Sequence, residues 1–391
     1  MSGRPITHED LLAQRKNYPV LSQSTYLANH SLGAMHQASA ARLAEFAGLW
    51  ASRGVLAWHQ WIPEMSRIAD LVGAIIGAPP GTTVLRQSVA DLLGAVASCL
   101  DFSGHRNRVV YADSDWPGSH YLWTEQRRYG AEVVVVASPT RGSGDGFDVQ
   151  RVVDAIDERT LLVPISHVLF RSAGLVDVPP IVERAHAVGA LVLLDAYQSA
   201  GVLPVDVVGL DVDFCVGGSV KYLCGGPGAG WMYVAPRLAD TLRPADVGWF
   251  GHRAPFDFSF HDVEYAPGVT RFAGGTPGVP AAYAASAGYQ AILDAGVQRI
   301  RERSISLTQP LVEGALERGW AVHSPHDPAR RGGHVTFDPG AGQQVYEELV
   351  ARGFAVDYRP GGGLRIGPHF FNTADECAAV LDEIDRIRKA A

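Results

Sequence analysis

The apolar positions of the chain fall into two regimes. Through the middle, short runs rich in β-branched and aliphatic residues recur at 108–112, 131–137, 161–166, 191–195 and 212–216. Each is mostly apolar without a two-residue alternation, as expected of a strand buried on both faces. Amphipathic stretches such as 179–188 separate several of these runs, and "TVLRQSVADLL" passes directly from a strand into a helix. Two-faced strands joined by helices predict an α/β architecture with a mostly parallel, buried sheet.

Beyond about residue 281 the pattern changes. A helical stretch covers about 281–318, short strand-like pieces follow at 320–323, 333–337, 355–358 and 363–366, and a helix begins near 373. That order describes a small α+β module. The predicted organisation is an arm over 1–31, a large domain over 32–285 and a small C-terminal domain over 286–391. The arm is expected to pack on the large domain and to contribute to the small one. Gly and Pro punctuate the chain without forming a repeat or a low-complexity tract.

Composition narrows the function classes. With 391 residues, 47% of them hydrophobic, the chain can bury a large core. A net charge of −8 leaves no basic footprint for nucleic acid. No uncharged apolar run reaches 18 residues and the first thirty residues lack a signal-peptide core, so a soluble, cytoplasmic protein without membrane contact is expected. Cys99, Cys215, Cys224 and Cys377 form no CxxC pair or metal-ligand spacing, which predicts reduced thiols and no metal site. The 33 basic residues comprise 30 arginines and three lysines, Lys16, Lys221 and Lys389. Only Lys221 lies mid-chain, among glycines in "VGGSVKYLCGGPGAGW".

Ligands of open α/β sheets bind beyond the carboxyl ends of the strands. Asp195 and Gln198 follow one strand, Ser166 and His167 another, Ser219 and Lys221 a third, and Gln87 and Ser88 open a helix. A lysine, a carboxylate and a helix N-terminus are what a pyridoxal phosphate site requires. The lysine forms the Schiff base, the carboxylate holds the ring nitrogen protonated, and the helix start receives the phosphate. Taken singly, Lys221 reads equally well as a surface lysine and Asp195 as a helix cap. "GGPGAG" misses the GxGxxG spacing and reads as a tight turn; His30 and His167 read as hydrogen-bonded structural residues.

Five stretches in order resemble the kynureninase branch of the class V aminotransferase superfamily, pyridoxal phosphate enzymes of fold type I. They are "YLANHSLGAM" (26–35), "KYLCGGPGAGWMYV" (221–234), "GWFGH" (248–252), "RFAGGTP" (271–277) and "RIGPHFFNT" (365–373). The resemblance implies a large domain with a mostly parallel seven-stranded sheet and a homodimer with shared active sites. It implies that Lys221 is the Schiff-base lysine, with Asp195 on the ring nitrogen, Trp116 stacked on the ring and Ser166 beside it. Gln87 and Ser88 would bind phosphate, and Trp249 and Thr276 would reach it from the neighbouring subunit. Arg365 would clamp the α-carboxylate of a small amino-acid substrate, with Asn29 and Asn372 close by.

Three pocket positions depart from that branch, whose members carry His at Gln198, Tyr at Val220 and Asp at Ser119. A neutral amide at 198 can still meet the cofactor's phenolate oxygen but cannot titrate as imidazole does. Val220 lacks a phenol implicated there in phosphate contact and proton transfer, and Ser219 is expected to recover the phosphate contact alone. The expected activity is therefore a kynureninase-like hydrolase or lyase, with a class V aminotransferase or an epimerase as the alternative, and a non-catalytic relative less favoured. A persulfide-forming desulfurase is disfavoured because the loop-like segment 323–333 has no cysteine. Trp58, Trp61, Trp116, Tyr121 and Trp123 would suit an aromatic substrate if they line the mouth.

Overall fold

The computed structural model describes residues 7–138, 147–258 and 260–390; the first six residues of the predicted arm and Ala391 lie outside the described residues. The large sheet has seven strands: β1 (Thr83–Arg86), β2 (Arg108–Ala112), β3 (Glu132–Val136), β4 (Thr160–Ser166), β5 (Leu191–Asp195), β6 (Phe214–Gly218) and β7 (Gly230–Val234). Their order is β1-β7-β6-β5-β4-β2-β3, parallel except that β7 runs against both neighbours. The two-faced apolar runs have their explanation here. Val110, Val163, Leu194 and Cys215 face one hydrophobic core, while Val109, Leu162, Leu193 and Val216 face the other. Helices Trp58–Ile75, Pro179–Ala187 and Val279–Ala295 cover the first face and Val89–Ser98 the second.

Strand β7 escapes the periodicity reading because it opens on glycine, and for a physical reason. Gly230 abuts the Ser88 backbone, where a Cβ would lie 2.7 Å from the carbonyl carbon.

The predicted long helix is two, Val279–Ala295 and Val297–Glu317, separated by Gly296 at φ +79°. A positive φ is cheap for glycine and ends the first helix. The second helix and the terminal helix Ala374–Ala390 pack on an antiparallel sheet ordered Asp357–Arg359, Gly363–Ile366, Val335–Asp338, Ala321–Val322. The predicted strand at 355–358 also divides. Phe354–Ala355 pairs in parallel with Thr25–Tyr26 of the arm, and Asp357–Arg359 joins the small sheet. Leu11, Tyr18 and Leu21 of the arm enter the large core, while Leu27 enters the small one.

Candidate active site

A cavity of about 360 Å³ opens at the carboxyl ends of β4, β5 and β6, between the large sheet and the small one. Lys221, three residues past β6, and Asp195, the last residue of β5, both face it. Burial pushes the Lys221 ammonium down to about 8; Asp195 works against that shift, and Arg365 and Arg359 add to it. Burial raises the Asp195 carboxyl, opposed by its hydrogen bond from the Tyr197 N–H at 2.8 Å and by Lys221. The cavity thus holds a lysine that can shed its proton near neutral pH and a carboxyl that gains from a cationic partner.

The segment just past the arm roofs this lysine. Gly33 N–H donates to Val220 O at 2.7 Å, and a Cβ on Gly33 would stand 2.0 Å from Lys221 O. Glycine is therefore needed at 33 for close approach. Tyr197, which sequence reasoning did not single out, places its ring centroid 4.3 Å from Lys221 Nζ; burial and Asp195 push its phenol up to about 12.

Ser88 caps helix Val89–Ser98, its Oγ accepting from Asp91 N at 3.2 Å, and Ser88, Val89 and Ala90 line the cavity. The unpaired N–H groups of that first turn form an anion-receiving end. Gln87 lies outside the lining. Trp116, at the start of helix Pro117–Glu125, meets Phe170 edge-to-face at 5.0 Å, and its centroid is 5.8 Å from Lys221 Nζ. Ser166 also faces the cavity, its N–H fixed by Asp115 Oδ1 at 2.7 Å. Asp115 accepts Ala112 N–H as well, and burial lifts its carboxyl to about 6.

The small sheet closes the far wall. Asp357 pairs directly with Arg365 and lies on the same face as Arg359, so all three point one way. Arg365 is ion-paired with Asp357 and donates to Phe170 O at 2.7 Å, which leaves its buried Nε–H without a partner. Arg359 is half-exposed and reaches Asp357 at 3.2 Å. His30 stacks on His334 at 4.8 Å, and neither ring makes a hydrogen bond. Its Nε2 is 3.6 Å from Asp357, beyond hydrogen-bond range. Burial, then Arg365, drives His30 down to about 3. It is a neutral wall of the cavity, not the hydrogen-bonded residue expected. His167 is structural, bonded to Ser199 at 3.0 Å.

Other expected site residues lie elsewhere. Ser219 is buried with its hydroxyl bonded to Ala229 O at 2.5 Å and to Tyr289, outside the cavity lining. Asn29 and Asn372 are buried joints. Asn29 donates to Gly367 O at 3.1 Å, and Asn372 donates to Tyr26 O at 3.0 Å and accepts from His369 N at 2.8 Å. They hold the arm against the turn that follows Arg365. Trp249 donates to Thr276 at 3.2 Å, also away from this cavity. Of the five aromatic residues proposed for the mouth, Trp116 alone lines it; Trp123 and Trp61 are core, Tyr121 is exposed and Trp58 packs on Trp249.

A family model, Aminotransferase class-V, matches residues 38–361. The chain belongs to the class V aminotransferases. It is thereby an enzyme of the pyridoxal phosphate-dependent superfamily to which the motifs point. It is 30% identical to "Uncharacterized aminotransferase YcbU" of Bacillus subtilis (strain 168), over 95% of this chain and 96% of that protein. It is 28% identical to the kynureninase of Pseudomonas fluorescens, over 92% and 88% respectively. The fold is shared with a cysteine desulfurase from Thermococcus onnurineus NA1 at a TM-score of 0.86 and 21% identity, covering 100% of both chains. It is also shared with the cystine C-S lyase C-DES at 0.82 and 18%, covering 94% of this chain and 98% of that one.

Proposed function

We propose that this class V enzyme binds pyridoxal phosphate in the cavity and acts on an α-amino acid with an uncharged side chain, in kynureninase-like fashion. The observation that carries the reading is Lys221, drawn to a pKa of about 8 beside Asp195 at adjoining strand ends. The cavity residues fit the cofactor. The Gln198 amide oxygen is buried, unpartnered and part of the lining, Asp195 gains from a cationic neighbour, and a helix N-terminus waits at Ser88. When bound, the cofactor supplies an electron sink for a bond broken at or next to Cα. Lys221 would hold the cofactor, then take and return the Cα proton. Asp195 would accept the ring N–H, and the Gln198 amide would lie toward the ring oxygen.

Arg365 and Arg359 would receive the α-carboxylate, one buried Nε–H and one half-exposed fork, with Asp357 holding both in place. Asp357 offsets one of these two positive charges, so a single carboxylate balances the wall. The rest of the substrate would meet Leu93, Val168, Phe170 and Trp116, which favour an uncharged, extended or aromatic group. Desulfurase chemistry lacks support: no cysteine lines the cavity, and burial raises all four thiols. A homodimer is part of the reading, because Trp249 and Thr276 sit outside the cavity beside exposed Phe256 and Phe258.

One observation favours a second reading, an aminotransferase. Lys221 is the cavity group brought near neutrality while His30 is driven to about 3, and transamination needs only one proton carrier. Incubating the protein with kynurenine, 3-hydroxykynurenine and a panel of amino acids separates the readings. Alanine plus an anthranilate without a keto acid supports cleavage; turnover only with a keto-acid acceptor supports transamination. No turnover and no cofactor uptake contradicts both.

A further inference from the structure

We propose that Tyr197 supplies the hydroxyl donor to the cofactor's phosphate, a contact that neither Val220 nor the internally bonded Ser219 can make. The inference rests on the cofactor reading above and assigns a binding residue to the anionic end of the cavity.

Tyr197 is placed by three independent features. Its N–H is tied to Asp195 Oδ1 at 2.8 Å, which fixes the turn after β5. Its ring fills the space left by a missing side chain at Gly218, where a Cβ would fall 2.4 Å from the phenol oxygen. The ring also presents its face to Lys221 Nζ, with the centroid 4.3 Å away. Gly218 is directly opposite Gly230 in the β6–β7 register, and Gly230 lies against the backbone of Ser88. Side-chain positions of directly opposed residues are about 5 Å apart on one face of a sheet. The Tyr197 hydroxyl therefore stands beside the first turn of helix Val89–Ser98, with a paired-glycine floor beneath both.

That hydroxyl is uncommitted. No described residue bonds to it, whereas the neighbouring phenol of Tyr289 is used by Ser219. Other donors at this end are the first-turn N–H groups and the Ser88 hydroxyl. Arg86, just before them, is spent on Asp91, Asp246 and Phe272 O. A phenol raised to about 12 stays protonated at neutral pH and donates. The phosphate that the helix N-terminus attracts thus lies within the field of one further donor, Tyr197.

The test compares apoprotein titrated with pyridoxal 5′-phosphate and with pyridoxal, which lacks the phosphate, in wild type and in Tyr197→Phe. The phenylalanine keeps the ring against Lys221 and Gly218 and removes only the hydroxyl. A hydrogen bond to a charged group predicts a loss of about 10-fold or more in affinity for pyridoxal phosphate, with pyridoxal affinity unchanged within about twofold. Equal affinity of the two proteins for pyridoxal phosphate overturns the inference. So does an equal loss for both compounds, which assigns Tyr197 to packing. Wild-type protein that takes up neither compound contradicts the cofactor reading itself, and the inference with it.

Discussion

At the scale of single residues, the cavity is a set of charges whose proton affinities are set by burial and by one another. Lys221 is depressed to about 8, so its neutral form becomes abundant above that pH. Only the neutral amine attacks an aldehyde. Capture of pyridoxal phosphate by apoprotein should therefore accelerate as pH rises through about 8 and then level off, whereas an ordinary lysine would still be gaining near 10. Asp195 holds the ammonium form, so Asp195→Asn should move the midpoint lower; stopped-flow absorbance across pH 6–10 reads both. Asp357 is the second keystone. His30, Arg365 and Arg359 crowd it, and Arg365 is almost fully buried. Asp357→Ala leaves that guanidinium unpaired and should cost about 3 kcal/mol in urea unfolding, more than removing the half-exposed Arg359. Lys221 and Asp195 could be picked out of the sequence because they stand at or just beyond strand ends, and Arg365 because it lies in a stretch resembling the family's; the structure brings all three to one cavity. Tyr197, Asp357 and Arg359 could not be picked out, because what matters about each is a neighbour from another strand. For Tyr197 the available signal was a bulky residue between Asp195 and Gln198, with a glycine at 218 to make room.

At the scale of elements, the strands after which catalytic candidates follow were readable because both faces are buried and most of their positions are apolar. The run at 212–216 slips by two residues to Phe214–Gly218, since glycines 217 and 218 pair in the ladder despite their low strand propensity. The arm was harder. Its pairing with Phe354–Ala355 joins segments more than 300 residues apart, and no local pattern encodes that. Gly33 is the element-scale test. A methyl group there meets the Lys221 carbonyl at 2.0 Å, and backbone lies on both sides. Gly33→Ala should lower stability by about 2 kcal/mol and reduce cofactor occupancy, measured by urea unfolding and by bound absorbance. The same change at Gly48, with nothing within 4 Å, should do neither.

At the scale of the whole molecule, one chain carries the cavity, and its Trp249 and Thr276 lie outside that cavity's lining. If two chains share their sites, mixing Lys221→Ala with Trp249→Ala subunits should restore activity, up to about a quarter of wild type for random exchange. Sites that are not shared would leave the mixture inactive. No helix among the described residues is long and apolar enough to cross a membrane. The central claim is that Lys221 carries the chemistry, and the scarcity of lysine makes it unusually easy to test. The protein loaded with pyridoxal phosphate should be reduced with borohydride, digested and mapped by mass spectrometry. The account predicts one cofactor-modified lysine, Lys221, out of the three in the sequence, and no modification in Lys221→Ala. Label on Lys16 or Lys389 alone, or no label at all, would contradict it.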